Sequence, residues 1–211
     1  DNPRNFRAIY ARILAATGLL FRSSIDHDTP EGIRLSAAGV LEISPDQDPG
    51  ELRAGHPTWQ ALAEIGAGVG SPDPALVIVS ECSGESAYPL YNRAGWHLFR
   101  ALRILGHEEL SVYIVDATRA DGTRRTDQVE SLARILAPRD PQYLALGEIA
   151  QRVARAAGID ATRARHPSYH LRMHASDGPR GYAEVLRAQG IRAGAGPPPG
   201  QMKRGTGILG D

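Results

Sequence analysis

Three short runs that are apolar almost throughout, Ala75-Leu-Val-Ile-Val79, Ser111-Val-Tyr-Ile-Val115 and Gln142-Tyr-Leu-Ala-Leu146, constrain this chain more than any other feature. A strand with one wet face alternates apolar and polar residues. A run without that alternation needs cover on both faces, as in a parallel sheet with helices above and below. The segments between the runs supply such helices. Arg93 to Leu105 offers Trp96, Phe99, Leu102 and Ile104 for burial and is stopped by Gly106; Thr126 is placed to cap a helix through Val129 to Leu136; Glu148 to Ala157 ends at Gly158. Ile159 to Arg165 reads as a short fourth strand and Tyr182 to Gln189 as a last helix. Successive βα units predict a three-layer α/β/α sandwich with a mostly parallel central sheet over residues 71–192.

The flanks read differently. Residues 1–70 are expected to form a helical, loop-rich N-terminal extension. Within it, Asn5 to Leu20 carries Phe6, Ile9, Tyr10, Ile13 and Leu14 at helical spacing, Pro45 to Pro57 is acidic and turn-rich, Thr58 to Ile65 is a short helix, and Gly66 to Gly70 is a link. Residues 193–211, with Pro197-Pro198-Pro199 and several glycines, read as an extended tail.

Composition narrows the chemistry. At 211 residues and 42% hydrophobic the chain can bury a substantial core. It has no apolar run long enough to cross a bilayer and no charged-then-apolar leader, so a cytoplasmic monomer with no membrane contact is expected. Cys82 is the single cysteine, which excludes an internal disulfide and a cysteine-held zinc or iron–sulfur site; no cofactor is expected. Lys203, in the tail, is the single lysine among the 24 basic residues, which disfavours Schiff-base chemistry. Formal net charge is zero, yet residues 1–90 hold 6 Arg against 12 Asp and Glu, while residues 91–211 hold 18 Lys and Arg against 12 acids. The second half therefore carries an arginine-rich basic surface suited to phosphate contacts, although solvated helix faces in an arginine-rich composition give the same count. Asp26-His27-Asp28 lacks a third metal ligand at a useful spacing and reads as a polar loop.

Polar residues gather where the strands end. Val79 runs into Ser80-Glu81-Cys82-Ser83-Gly84-Glu85-Ser86, Asp116 follows Val115, and the fourth strand leads to His166-Pro167-Ser168-Tyr169-His170-Leu171-Arg172. Open α/β sheets place ligands at the carboxyl ends of their strands, so Glu81, Asp116 and His166 are expected around one crevice. Proline fixes its own φ and drives the preceding residue from helical geometry, which puts His166 at a bend. An imidazole there is suited to stabilising an anion, and on residue types alone the stretch fits a helix-entry turn with a surface histidine equally well.

In these motifs the chain resembles the uracil-DNA glycosylase superfamily, especially the branch that carries GEAPG near the start of the domain, VYITN in the middle and HPSYLLR near the end. The matching stretches here are Ser80-Glu81-Cys82-Ser83-Gly84, Val112-Tyr113-Ile114-Val115-Asp116 and the His166 to Arg172 segment. Arg93-Ala94-Gly95 matches that branch's RAG, and Leu146-Gly147 with Ala150 its LGxxA, so the resemblance runs in order over residues 75–190. Four departures stand out. The cluster cysteines are absent, Ser80 and Ser83 replace glycine and proline of GEAPG, and Asp116 stands where the family reads its base with asparagine. The family's base-stacking phenylalanine is also replaced, which leaves Tyr91 or Tyr88 for that role.

The resemblance implies a monofunctional DNA glycosylase that extrudes a pyrimidine from DNA and hydrolyses its N-glycosidic bond. It assigns His166 to hydrogen-bond the oxyanion developing at O2 of the base, and Glu81 to hold and activate water or to stabilise the sugar cation. Without a usable lysine, the product is an intact abasic site. Ser83, Ser86, Ser168 and Arg172 are expected to contact phosphates, and Leu171 or Met173 to fill the vacated stack. His166, His170 and His174 stand four apart, but Pro167 and the resemblance argue against a metal there.

Asp116 points to the base. An ionised carboxylate accepts hydrogen bonds only; it repels uracil O4 and accepts from the exocyclic amine of cytosine. Since excision of ordinary cytosine would destroy the host genome, a modified cytosine, as in some viral DNA, is the expected substrate, in a defence or repair setting. Uracil stays the alternative if Asp116 is protonated or turned aside by Arg119. Two further alternatives are a nucleosidase acting on free nucleotides and a DNA-binding module without catalysis.

Overall fold

A computed structural model of the chain describes residues 13, 57–65, 68–81, 89–108 and 111–195. In order these form α1 (Pro57–Ile65), β1 (Val69–Gly70), β2 (Leu76–Ser80), α2 (Arg93–Ile104), β3 (Val112–Asp116), α3 (Thr126–Leu136), β4 (Gln142–Leu146), α4 (Gly147–Ala156), β5 (Thr162–Ala164), α5 (Pro167–Met173) and α6 (Gly178–Ala188). The protein is α/β with a mixed five-stranded sheet of order β1-β3-β2-β4-β5, in which β1 runs antiparallel to β3 and the other pairs are parallel.

The unalternated runs do what their composition requires. Leu76, Ile78, Val112, Ile114, Leu144 and Leu146 pack on one side of the sheet with Leu98, Phe99 and Leu102 of α2 and Tyr182 and Leu186 of α6. Val77, Val79, Tyr113, Val115 and Ala145 pack on the other with Leu62 of α1, Val129, Leu132 and Leu136 of α3, and Ala150 and Val153 of α4. All five residues of β2 are buried. Each buried apolar side chain of this kind contributes roughly 2 kcal/mol by leaving water, which is why Leu76 to Val79 carries no polar alternate on either face.

Several boundaries differ from those expected. The segment expected to be a glycine-rich link holds β1, where Val69 pairs with Ile114 and Gly70 with Tyr113, and α1 packs on α3 through Leu62. The α/β unit therefore reaches back across residue 71. At the other end Gly194 donates its N–H to the Leu105 carbonyl at 2.8 Å, and Gln142 grips the Gly190 carbonyl and the Arg192 N–H at 2.7 and 2.9 Å, so the chain is still tied down at residue 194. Thr126 is the first residue of α3 and not its cap; Arg125 precedes it without a side-chain capping bond. The last helix starts at Gly178, ahead of Tyr182. Of the helix expected over Asn5 to Leu20, only Ile13 is among the described residues, helical and fully buried; Asp26-His27-Asp28 and Pro197-Pro198-Pro199 lie outside them. No described helix is long and apolar enough to cross a membrane.

The entry to α2 shows why glycine stands in Arg93-Ala94-Gly95. Leu90 adopts a left-handed φ of 57°, and the Asn92 side chain caps the helix by accepting the Gly95 N–H at 2.9 Å. A methyl group at Gly95 would collide with the Leu90 carbonyl oxygen. Gly95→Ala should therefore lower stability by about 1–3 kcal/mol, read as a drop of several degrees in thermal unfolding by circular dichroism; an unchanged midpoint would show that the turn has room.

Candidate functional site

Parallel register sets the site. Ser80 lies opposite both Asp116 on β3 and Leu146 on β4, and Leu146 opposite Ala164 on β5, so the strands end in one row. The chain leaves β2 toward α2 on one face of the sheet and leaves β4 directly into α4 on the other. Because those paths diverge, the ends of β2 and β4 form a switch point of the kind at which α/β sheets bind ligands, and the crevice expected there is the candidate site. Glu81, exposed, follows β2 at its rim. Gly147, with φ +84°, follows β4, and a Cβ built on it would stand 3.6 Å from the Cβ of His166. With ~4.8 Å between strands, Asp116 and the His166 turn flank the crevice about 14 Å apart in backbone terms, with Glu81 between them.

His166 caps α5. Its backbone is extended at φ −56°, ψ 138°, Pro167 follows at the first helical position, and the ring accepts the Ser168 N–H. Nδ1 lies 3.3 Å from that nitrogen and 2.8 Å from Ser168 Oγ. A backbone N–H can only donate, so Nδ1 is the acceptor and the ring proton is assigned to Nε2. Burial, aided by the Arg172 guanidinium, holds the imidazole below its ordinary pKa. The turn thus presents a neutral ring with Nε2–H as donor. Ser168, expected to contact phosphate, uses its hydroxyl on His166 Nδ1 and so orients the ring.

Asp116 is partly buried, and its Oδ1 is fully shielded from solvent with no hydrogen-bond partner. Burial pushes its carboxyl up to about 6, against the pull of the Arg125 guanidinium. The cation acting on Asp116 is therefore Arg125 and not Arg119, which is exposed in the turn closed by its own N–H on the Thr123 carbonyl at 2.8 Å. Arg125 Nε is likewise buried without a partner. Chain distance favoured Arg119, but the backbone bond from Arg125 N–H to the Ala117 carbonyl at 2.8 Å brings the later residue back beside the strand end.

The remaining candidates divide. Tyr91 is half-buried against the core side that holds α2 and α6. Leu171 is half-buried, Arg172 is exposed, and Met173 is 62% exposed, which makes Met173 the more prominent apolar side chain of that pair. Ser83, Ser86 and Tyr88 lie outside the described residues. His170 is buried; its ring lies 5.4 Å from that of His174, while its Nδ1 meets His97 Nε2 at 3.0 Å, a partnership across 73 residues that no local motif signals. No group of three or more His, Cys, Asp or Glu side chains among the described residues is placed to hold a metal ion. Two open depressions, of about 710 and 600 Å3, lie near Gly158 to Ala161, and none of the candidate residues lines them.

No family model matches the sequence, and no curated protein matches it closely enough to inform its function.

The Asp116 pKa carries a sign for stability. The unfolded carboxyl ionises near 3.8, the folded one near 6, so the folded state loses stability as pH rises between those values and carries the full cost above them. Asp116→Asn should stabilise the protein at pH 8, by on the order of 2 kcal/mol allowing for partial exposure, and leave it unchanged near pH 3.5. Urea unfolding at the two pH values measures this, and no gain at pH 8 would mean that the carboxylate has a partner in solution.

Proposed function

We propose that the protein is a monofunctional DNA glycosylase of the uracil-DNA glycosylase type that removes a cytosine-type base, a modified cytosine, and leaves an abasic site. The observation that carries this reading is the buried, unpartnered Oδ1 of Asp116 at the end of β3, in the row of strand ends that also holds Ser80 before Glu81. A buried acceptor left without a donor costs about 1–3 kcal/mol, which a ligand donor would recover. The exocyclic amine of cytosine is such a donor, and uracil O4 is not. The helices packed on both faces of the sheet support a three-layer sandwich, the architecture expected from the successive βα units.

Each residue then has a role. Cleavage of the glycosidic bond leaves positive charge on the sugar and negative charge on the base. His166, neutral and donating from Nε2, meets the O2 oxyanion without first losing a proton. Glu81, at the rim between the two, positions the attacking water or faces the sugar cation. Arg172 and the other arginines of the second half contact phosphates, and Met173 or Leu171 occupies the gap left by the extruded base. With no lysine in the described site, hydrolysis ends at the abasic site and the strand stays whole.

Abasic-site formation on matched DNAs carrying uracil, cytosine or 5-modified cytosines tests the proposal. A modified cytosine should be released, and Glu81→Gln and His166→Ala should each cut the rate by about 10²-fold or more. Product from uracil alone would keep the glycosylase and overturn the specificity; DNA bound without product from any base would favour the non-catalytic module. Asp116→Asn should shift activity toward uracil, because an amide both donates to O4 and accepts from N3–H. In the unmutated protein the ratio of uracil to cytosine-type excision should rise as pH falls through about 6, since a protonated carboxyl can donate as the amide does. A ratio flat from pH 8 to 5 would remove Asp116 as the reader.

A further inference from the structure

His97 and His170 form the buried centre of the contact between α2, α5 and α6. Each is 4% exposed, their facing nitrogens lie 3.0 Å apart, and their rings stack at 5.1 Å. Tyr182 of α6 stacks on His97 at 5.4 Å, packs tilted against His170 at 5.0 Å, and donates its hydroxyl to the Arg165 carbonyl at 2.7 Å. Arg165 is the residue before His166. The cluster therefore grips the His166 turn from two sides: one helical turn beyond it through His170, and immediately before it through Tyr182.

We propose that His97 and His170 are positioning residues for the His166 turn, and that their neutral, hydrogen-bonded pair pins α5 to α2 so that acid loosens it. A bond between two ring nitrogens needs one N–H and one lone pair. A second proton sets N–H against N–H, and even the first places charge where water is excluded. The surroundings oppose that charge. From α2, Arg100 and Arg93 act on His97; from the end of α5, His174 acts on His170; from α6, Tyr182 offers a ring and a hydroxyl already committed to Arg165. Asp177 favours the charged form of His170, but it is half-exposed and lies 3.8 Å from His174. Burial, then these cations, holds His97 down at about 4 and His170 below the ordinary imidazole range. An imidazole whose folded pKa is depressed gives its full stabilisation above about 6.5 and loses it as pH falls toward the folded value.

The assignment of a catalytic task to His166 rests on the proposed function; the pinning of α5 does not, and the test separates them. Amide hydrogen exchange of α5 is compared at pH 7.5 and pH 5 in the full chain, corrected for intrinsic exchange rates. His97 alone should speed opening of α5 about thirtyfold at pH 5, because the opened imidazole takes up a proton that the closed one refuses. The double substitution His97→Leu and His170→Leu should remove most of the pH dependence of α5 protection over that range, leaving the part that the depressed His166 contributes, and His97→Gln, which keeps a hydrogen-bonding group without titrating, should retain more protection at pH 7.5 than His97→Leu. Equal α5 protection of the unmutated protein at both pH values, or the same pH dependence in the double variant, would overturn the proposal. If the double variant does not fold, the imidazole proton resonances of the unmutated protein decide: titration of both rings near 6.5 overturns it, and midpoints below 6 uphold it. Where base excision is detectable, its acid limb should move with the double variant; where it is not, the exchange result stands by itself.

Discussion

The structure depends on the pairing of β2 between β3 and β4. That strand is buried along its whole length, apolar from Leu76 to Val79, and its parallel register fixes where its neighbours end. Once Leu76 is set against Val112 and Gln142, Ser80 must stand beside Asp116 and Leu146. The crevice is a consequence: residues with nowhere to pack begin where the apolar runs stop, and those residues are Glu81, Asp116, Gly147 and, past β5, His166. A one-residue slip of β2 would turn its whole apolar set to the wrong faces, so the site is held as firmly as the core.

What the core supplies to the site is mainly the removal of water. Burial pushes the Asp116 carboxyl up and the His166 imidazole down, in each case toward the neutral form. The two effects suit different tasks. A neutral histidine whose Nδ1 is occupied by the Ser168 N–H has one free function, donation from Nε2. A carboxyl near the neutral range with a lone, unpartnered oxygen can accept when ionised and donate when protonated, so its protonation state decides which hydrogen-bonding group it can meet. The His97–His170 pair extends the same dependence to the scaffold, since it too holds only while uncharged.

Much of this was legible in the sequence because it rests on composition over short windows. The unalternated runs announced buried parallel strands, Gly106 and Gly158 marked helix ends, and proline after His166 announced the bend. What escaped was set by contacts between distant segments. β1 is two residues long and exists because it finds the free edge of β3, which nothing in Gly68-Val69-Gly70 reveals. Thr126 looked like a cap because threonine commonly is one, yet the loop returning to Ala117 placed the helix start one residue early. Arg119 was the nearer arginine to Asp116 in the chain, whereas the turn closed by Thr123 sends it to solvent and folds Arg125 back. The spacing of His166, His170 and His174 says nothing of why His170 is buried; its partner, 73 residues away, does.

The central claim is that the crevice accepts a cytosine-type base and that its N-glycosidic bond is the one broken. Mass spectrometry of the small product released from DNA carrying a 5-modified cytosine, together with the size of the remaining strand, tests it most directly. The free modified base alongside an unbroken strand is the predicted result. Release of a nucleoside or nucleotide, cleavage of the strand, or no small product from any cytosine-type DNA under conditions where the protein binds it would contradict it.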